Sequence, residues 1–87
     1  MSNRPTLDEL YTMARPALLD RWTDPKNEIK GAPVRDLERL EMDLFIEVDE
    51  LATASAAMKE WETADVAVYA LIILAEMARR KNETLDN

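Results

Sequence analysis

Between Val66 and Ala75 the chain runs for ten residues with no polar side chain other than the Tyr69 hydroxyl. That is about half the length a bilayer-crossing helix needs, so the run has to be buried by protein, and on several sides. With a single Gly in the chain and few strand-like stretches, the expected fold is all-α, with this segment in its most enclosed helix. A carboxylate, Asp65, opens the run. A carboxylate that faces a core has to be paired, protonated or bound to a metal.

Asp65 has company. Glu47 and Glu50 form one pair at i, i+3, and Glu62 and Asp65 form a second. At about 100° per residue, such pairs lie on neighbouring parts of one helix face and aim two carboxylates the same way. Glu47 falls inside the stripe of Leu37, Leu40, Leu44, Val48 and Leu51, and Glu50 lies on its edge. With 18 Asp and Glu in 87 residues the spacing alone is common, so what singles these four out is their apolar setting. Oxygen ligands without His or Cys point to Mg²⁺ or Mn²⁺ rather than zinc.

The helices can be bounded from their ends. Thr6-Leu7-Asp8-Glu9 reads as a capping box, so helix one should begin at Leu7 and carry the stripe Leu7, Leu10, Tyr11, Ala14, Leu18 to about Arg21, with Pro16 kinking it or ending its first part. Thr23 to Pro33 reads as a connector with one helical turn at Asp24-Pro25 that Gly31 stops. A long amphipathic helix follows from Val34 to about Ala57, with Asp36, Glu38, Glu41 and Asp43 on its more exposed faces. Another runs from about Glu60 to Arg80, with Arg79, Arg80 and Lys81 at its C-terminal end, where cations complement the dipole.

Ser55 to Trp61 contains neither Gly nor Pro, so one helix from Val34 to Arg80 competes with a hairpin. A straight helix would hold Glu47 and Asp65 about 27 Å apart. A shared metal site therefore requires the hairpin. The expected architecture is one domain, residues 1–87, of about three main helices. Three helices cannot easily cover Val66 to Ala75, so the chain should self-associate as a dimer or tetramer into a core of the four-helix-bundle type.

Composition narrows the chemistry. No Cys and no His leave no thiolate zinc site, no cysteine nucleophile and no imidazole base, so carboxylates, Lys, Arg, Tyr, Ser and Thr must carry any catalysis. A net charge of −7 argues against a nucleic-acid surface. No segment has the length of a membrane span or signal peptide, and a soluble, cytoplasmic protein is expected.

The stretch Leu44-Phe45-Ile46-Glu47-Val48-Asp49-Glu50-Leu51-Ala52, followed by Trp61-Glu62-Thr63-Ala64-Asp65-Val66-Ala67-Val68-Tyr69, resembles the core of the MazG-like, all-α nucleoside triphosphate pyrophosphohydrolases. These carry an ExxE on one helix and an ExxD on the next, leading into an aliphatic run. The resemblance implies a Mg²⁺-dependent enzyme that cleaves a nucleoside triphosphate to the monophosphate and pyrophosphate, with Glu47, Glu50, Glu62 and Asp65 as metal ligands. Glu50 is the candidate for the catalytic base, and Lys59, Arg79, Arg80 and Lys81 are candidates to hold phosphates. Trp22, Trp61 and Tyr69 are candidates to stack on the base, Tyr69 foremost as a substrate contact. Two departures are visible: Ile46 stands where many members have a further Glu, and only eleven residues separate Glu50 from Glu62. The alternative is a non-enzymatic helical module that presents its acidic surface to a basic site on a partner protein.

Overall fold

A computed structural model of the chain describes residues 4–24 and 36–85, which are helical apart from short connecting and capping segments. Three α-helices follow one another: α1 (Leu7–Thr23), α2 (Leu37–Thr53) and α3 (Lys59–Leu85), with a 3-10 turn at Ala56–Met58 before α3. Helix α1 starts where its capping box requires. The Glu9 N–H donates to the Thr6 hydroxyl oxygen at 3.1 Å, and the Thr6 N–H donates to the Glu9 carboxylate at 3.3 Å. Pro16 does not end the helix, which continues to Thr23. Both Pro16 and Thr12 are exposed, so the carbonyl that loses its N–H donor to the proline ring sits on the solvent side. The expected turn at Asp24-Pro25, its stop at Gly31 and the expected start of helix two at Val34 fall largely outside the described residues; within them, α2 begins at Leu37. Its N-cap is Asp36, whose carboxylate accepts the Arg39 N–H at 3.1 Å.

The hairpin is present. Ala54 and Ser55 both take extended backbone angles, which excludes one continuous helix and ends α2 at Thr53, short of the expected Ala57. With no Gly or Pro to force it, the break is held by hydrogen bonds. The Met58 N–H donates to the Ser55 carbonyl at 2.9 Å, and the Lys59 ammonium reaches back to the Leu51 carbonyl at 2.7 Å. Lys59 thereby gives a second donor to a carbonyl that also accepts the Ala54 N–H at 3.3 Å, and places a cation at the negative end of the α2 dipole.

Helix α3 is the centre of the fold, and the other two pack on it. Leu40 of α2 is fully buried against Val68, Tyr69 and Ile73 of α3, with Leu18, Leu37, Leu44 and Ile72 closing the edges. The C-terminal end of α1 meets the N-terminal part of α3 through Arg21 and Asp65, so α1 runs antiparallel to α3, as α2 does. Only this half of α1 docks. Leu7, Leu10 and Tyr11 of the expected stripe are exposed. At its far end α3 runs past Arg80 to Leu85, so Arg79, Arg80 and Lys81 are not in its last turn as the sequence suggested. Glu76 pairs with Arg79 and Arg80, and Arg79 pairs in turn with Glu83; this i, i+3 and i, i+4 ladder carries the helix onward.

With so small a core, Leu40 carries a large share of it. Leu40→Ala should destabilise the fold by about 2 to 5 kcal/mol in denaturant unfolding, against about 1 kcal/mol for loss of the cap in Thr6→Ala.

Candidate metal centre

Glu47 shares the inward face of α2 with Leu40 and Leu44, being seven and three residues on from them. One turn of α3 separates Glu62 from Asp65, and one further turn leads to Tyr69 in the core. The antiparallel hairpin therefore sets the three carboxylates side by side between the turn and the apolar core. One oxygen from each of Glu47, Glu62 and Asp65 lies within 4.8 Å of the others. The eleven-residue separation between Glu50 and Glu62 is thus long enough to close the site.

These carboxylates differ in what holds them. Asp65, 7% exposed, takes a forked ion pair: the Arg21 Nε donates to Oδ1 at 2.7 Å and Nη2 to Oδ2 at 3.3 Å. Glu47 Oε2 and Glu62 Oε2 are buried and have no hydrogen-bond partner. Glu50 is exposed at the rim, near enough to both to repel them and to accept a hydrogen bond from either in its protonated form.

The consequence is a pair of reluctant acids. Burial, then the charges of Glu50 and Asp65, push the Glu47 carboxyl up from 4.5 to about 7. The Glu62 carboxyl is raised by burial and by the same two neighbours, while Arg21 works in the opposite direction. Burial also opposes the charge on Arg21, but its hydrogen bonds to Asp65 and Asp24 outweigh that and raise its pKa.

The other residues singled out in the sequence are placed as follows. Lys59 caps α2 as described, one turn before Glu62. Tyr69 is 4% exposed, a core residue beside Val68 and Ile73, which leaves it no open face for a base. Arg80 is bound to Glu76 at 3.0 Å and stands about 22 Å along α3 from Asp65 by helical rise, so it is not brought to the cluster. Arg79 belongs to the same Glu76 group, and Lys81 is exposed one residue beyond Arg80. Trp22 and Trp61 are both partly exposed, and Trp61 borders the site, with the Arg21 guanidinium 4.2 Å from its ring centroid. Arg21 was missed in the sequence. It occupies the next position of the α1 stripe after Ala14 and Leu18, so a cation on an otherwise apolar face was the available signal.

Compared with known proteins, the chain matches no family model, no curated protein and no solved structure. The case for a site rests on its geometry.

That geometry has a pH signature. A carboxyl whose folded pKa is raised binds its proton more tightly in the native state, so the stability it contributes is present below about 4.5 and is lost as pH rises to about 7. Without divalent cations, melting temperature should fall across this window. Glu47→Gln should flatten the fall, which differential scanning calorimetry in a chelating buffer can read.

Proposed function

We propose that the chain is a Mg²⁺-dependent nucleoside triphosphate pyrophosphohydrolase that releases pyrophosphate and a nucleoside monophosphate. The observation that carries this reading is the convergence of Glu47, Glu62 and Asp65 from two helices, with two buried oxygens lacking any partner. Orphaned anionic oxygens of this kind suit a hard divalent cation, and they favour it over the alternative of a basic protein partner, which would pair with the exposed acids. Glu47, Glu62 and Asp65 would hold the cation, with Glu50 able to join them from the rim. A bound Mg²⁺ would neutralise triphosphate charge and lower the pKa of a water.

The chain's own groups supply the rest. Glu50, exposed beside the cluster, would take a proton from an attacking water. The cleft next to Arg21 and Trp61 has a volume of about 210 Å³ and includes Asp20, Glu60 and Ala64 in its walls. Small-molecule sites usually enclose about 300 to 1,000 Å³, so a nucleotide would need further walls from a second copy.

Self-association belongs to the same proposal. Met42, Phe45 and Ile46 project from the outward face of α2, Phe45 81% exposed, and share that shallow surface with Glu38 and Glu41. Between α1 and α3 lies an apolar groove of about 270 Å³ walled by Tyr11, Leu19, Trp22 and Leu71, with Arg15 as its cation. The two surfaces carry opposite charges, Glu38 and Glu41 on one and Arg15 on the other. Sedimentation at micromolar concentration should give a dimer or larger species, and Phe45→Asp should shift it towards the 10.0 kDa monomer; a monomeric parent would remove this part of the proposal.

The catalytic test is a pyrophosphate-release screen over ribo- and deoxynucleoside triphosphates with Mg²⁺ and Mn²⁺. Asp65→Asn should abolish release, and Glu50→Gln should lower it by about a hundredfold or more. Glu38→Gln, on an exposed face of α2, should leave it unchanged. No release from the parent under any of these conditions would refute the enzymatic reading.

A further inference from the structure

The Arg21 side chain is tied into the acidic cluster from several directions at once. Its guanidinium spans both oxygens of Asp65, donates through Nη1 to Asp24 Oδ2 at 2.9 Å and lies over the Trp61 ring. The side chain is only 11% exposed. Among the described residues it is the sole cation ion-paired to Glu47, Glu62 or Asp65. A carboxylate has roughly four lone-pair sites, so Asp65 keeps acceptor capacity towards Glu47 and Glu62 while it receives the arginine fork. The charge it can offer a second cation is nevertheless already partly matched.

From this we infer that Arg21 is an internal counter-ion: it stabilises the acidic cluster in the absence of divalent cation and competes with that cation for Asp65. The inference rests on the metal reading of the cluster and adds a determinant of its affinity. Arg21 is a positioning residue in this scheme, acting on the cation through Asp65. It links two properties that are otherwise separate. The contact that fastens α1 to α3 is the same contact that a divalent cation weakens, so loading the site alters how firmly α1 is held.

The sign of the effect separates this role from a merely structural one. If Arg21 only held Asp65 in place, its loss would disorder the cluster and weaken metal binding. A competitor's loss strengthens it. The experiment is calorimetric titration of the full chain with MgCl₂ and with MnCl₂, paired with thermal melts in chelator. Arg21→Gln should melt lower in chelator, bind Mg²⁺ at least about threefold more tightly, by removal of one nearby positive charge, and gain more in melting temperature from Mg²⁺ than the parent does. Arg21→Lys keeps the charge but loses the fork, and should bind with an affinity between those two. Arg39→Gln removes an exposed charge from α2, away from the cluster, and should bind like the parent. Unchanged or weaker binding by Arg21→Gln would overturn the inference while leaving the metal site standing. If that variant does not fold in chelator, Arg21→Lys decides: tighter binding than the parent supports competition, and equal or weaker binding overturns it. A parent that binds neither cation would refute the metal reading and this inference together.

Discussion

Mutual repulsion among carboxylates at the neck of the hairpin is the constraint around which this fold is arranged. Three carboxylates with an oxygen each within 4.8 Å of the others, two of them carrying a buried partnerless oxygen, work against the closure of α2 onto α3. Two things oppose that repulsion. The apolar contacts of Leu40 with Val68, Tyr69 and Ile73 close the hairpin beyond the site, and Arg21 brings a positive charge to it from α1. A third contribution comes from the protons themselves. Burial and the neighbouring acids raise the Glu47 carboxyl to about 7, which favours its neutral form and lessens the charge the cluster must hold.

The division of labour among helices follows from this. Helix α3 supplies both the core stripe and two of the three cluster carboxylates, so packing and site cannot be varied independently along it. Helix α2 presents Leu40 and Glu47 on one face and Met42, Phe45 and Ile46 on the opposite one, which makes it apolar on two sides. Helix α1 contributes no buried residue; Leu18 packs it against the core and Arg21 ties it to Asp65. A chain of 87 residues has little interior to spend on three helices. Its uncovered apolar surface is what would remain if one copy were half of a larger core, the architecture that the run from Val66 to Ala75 suggests.

Local signals in the sequence translated well. The Thr6 to Glu9 capping box appears bond for bond, and the i, i+3 spacing of Glu62 and Asp65 places both on the face that meets α2. What the sequence leaves obscure is whatever depends on contacts between distant residues. No Gly or Pro marks the break at Ala54 and Ser55, and one of the bonds that hold it, from Lys59, reaches back eight residues to a carbonyl of α2. Arg21 and Asp65 are 44 residues apart, and neither can be assigned to the other without the packing of α1 on α3. The far end of α3 misled for a related reason. A cluster of basic residues resembles a helix terminus when its acidic partners, Glu76 and Glu83, are not counted with it. Glu50 shows the limit of spacing arguments, because its i, i+3 relation to Glu47 puts it beside the cluster but on the exposed rim rather than within it.

Two sheltered carboxylates, Glu76 buried on α3 and Glu47 half-buried on α2, therefore meet opposite fates. Glu76, 3% exposed, accepts hydrogen bonds from Arg79 and Arg80 of its own helix, which pull its carboxyl down from 4.5 to about 2. Its contribution to stability is present above about 4.5 and is lost only as pH falls towards 2. Glu47 has no arginine of its own, and its neighbours are other acids, so its shift runs upward and its pH window lies on the other side of the ordinary carboxylate value. A chain this acidic can satisfy a sheltered carboxylate completely where only structure is at stake, as the Glu76 group demonstrates. Leaving Glu47 and Glu62 short of positive charge while such a remedy exists about four turns along α3 from Glu62 is the local inconsistency expected where a site has to receive something from outside.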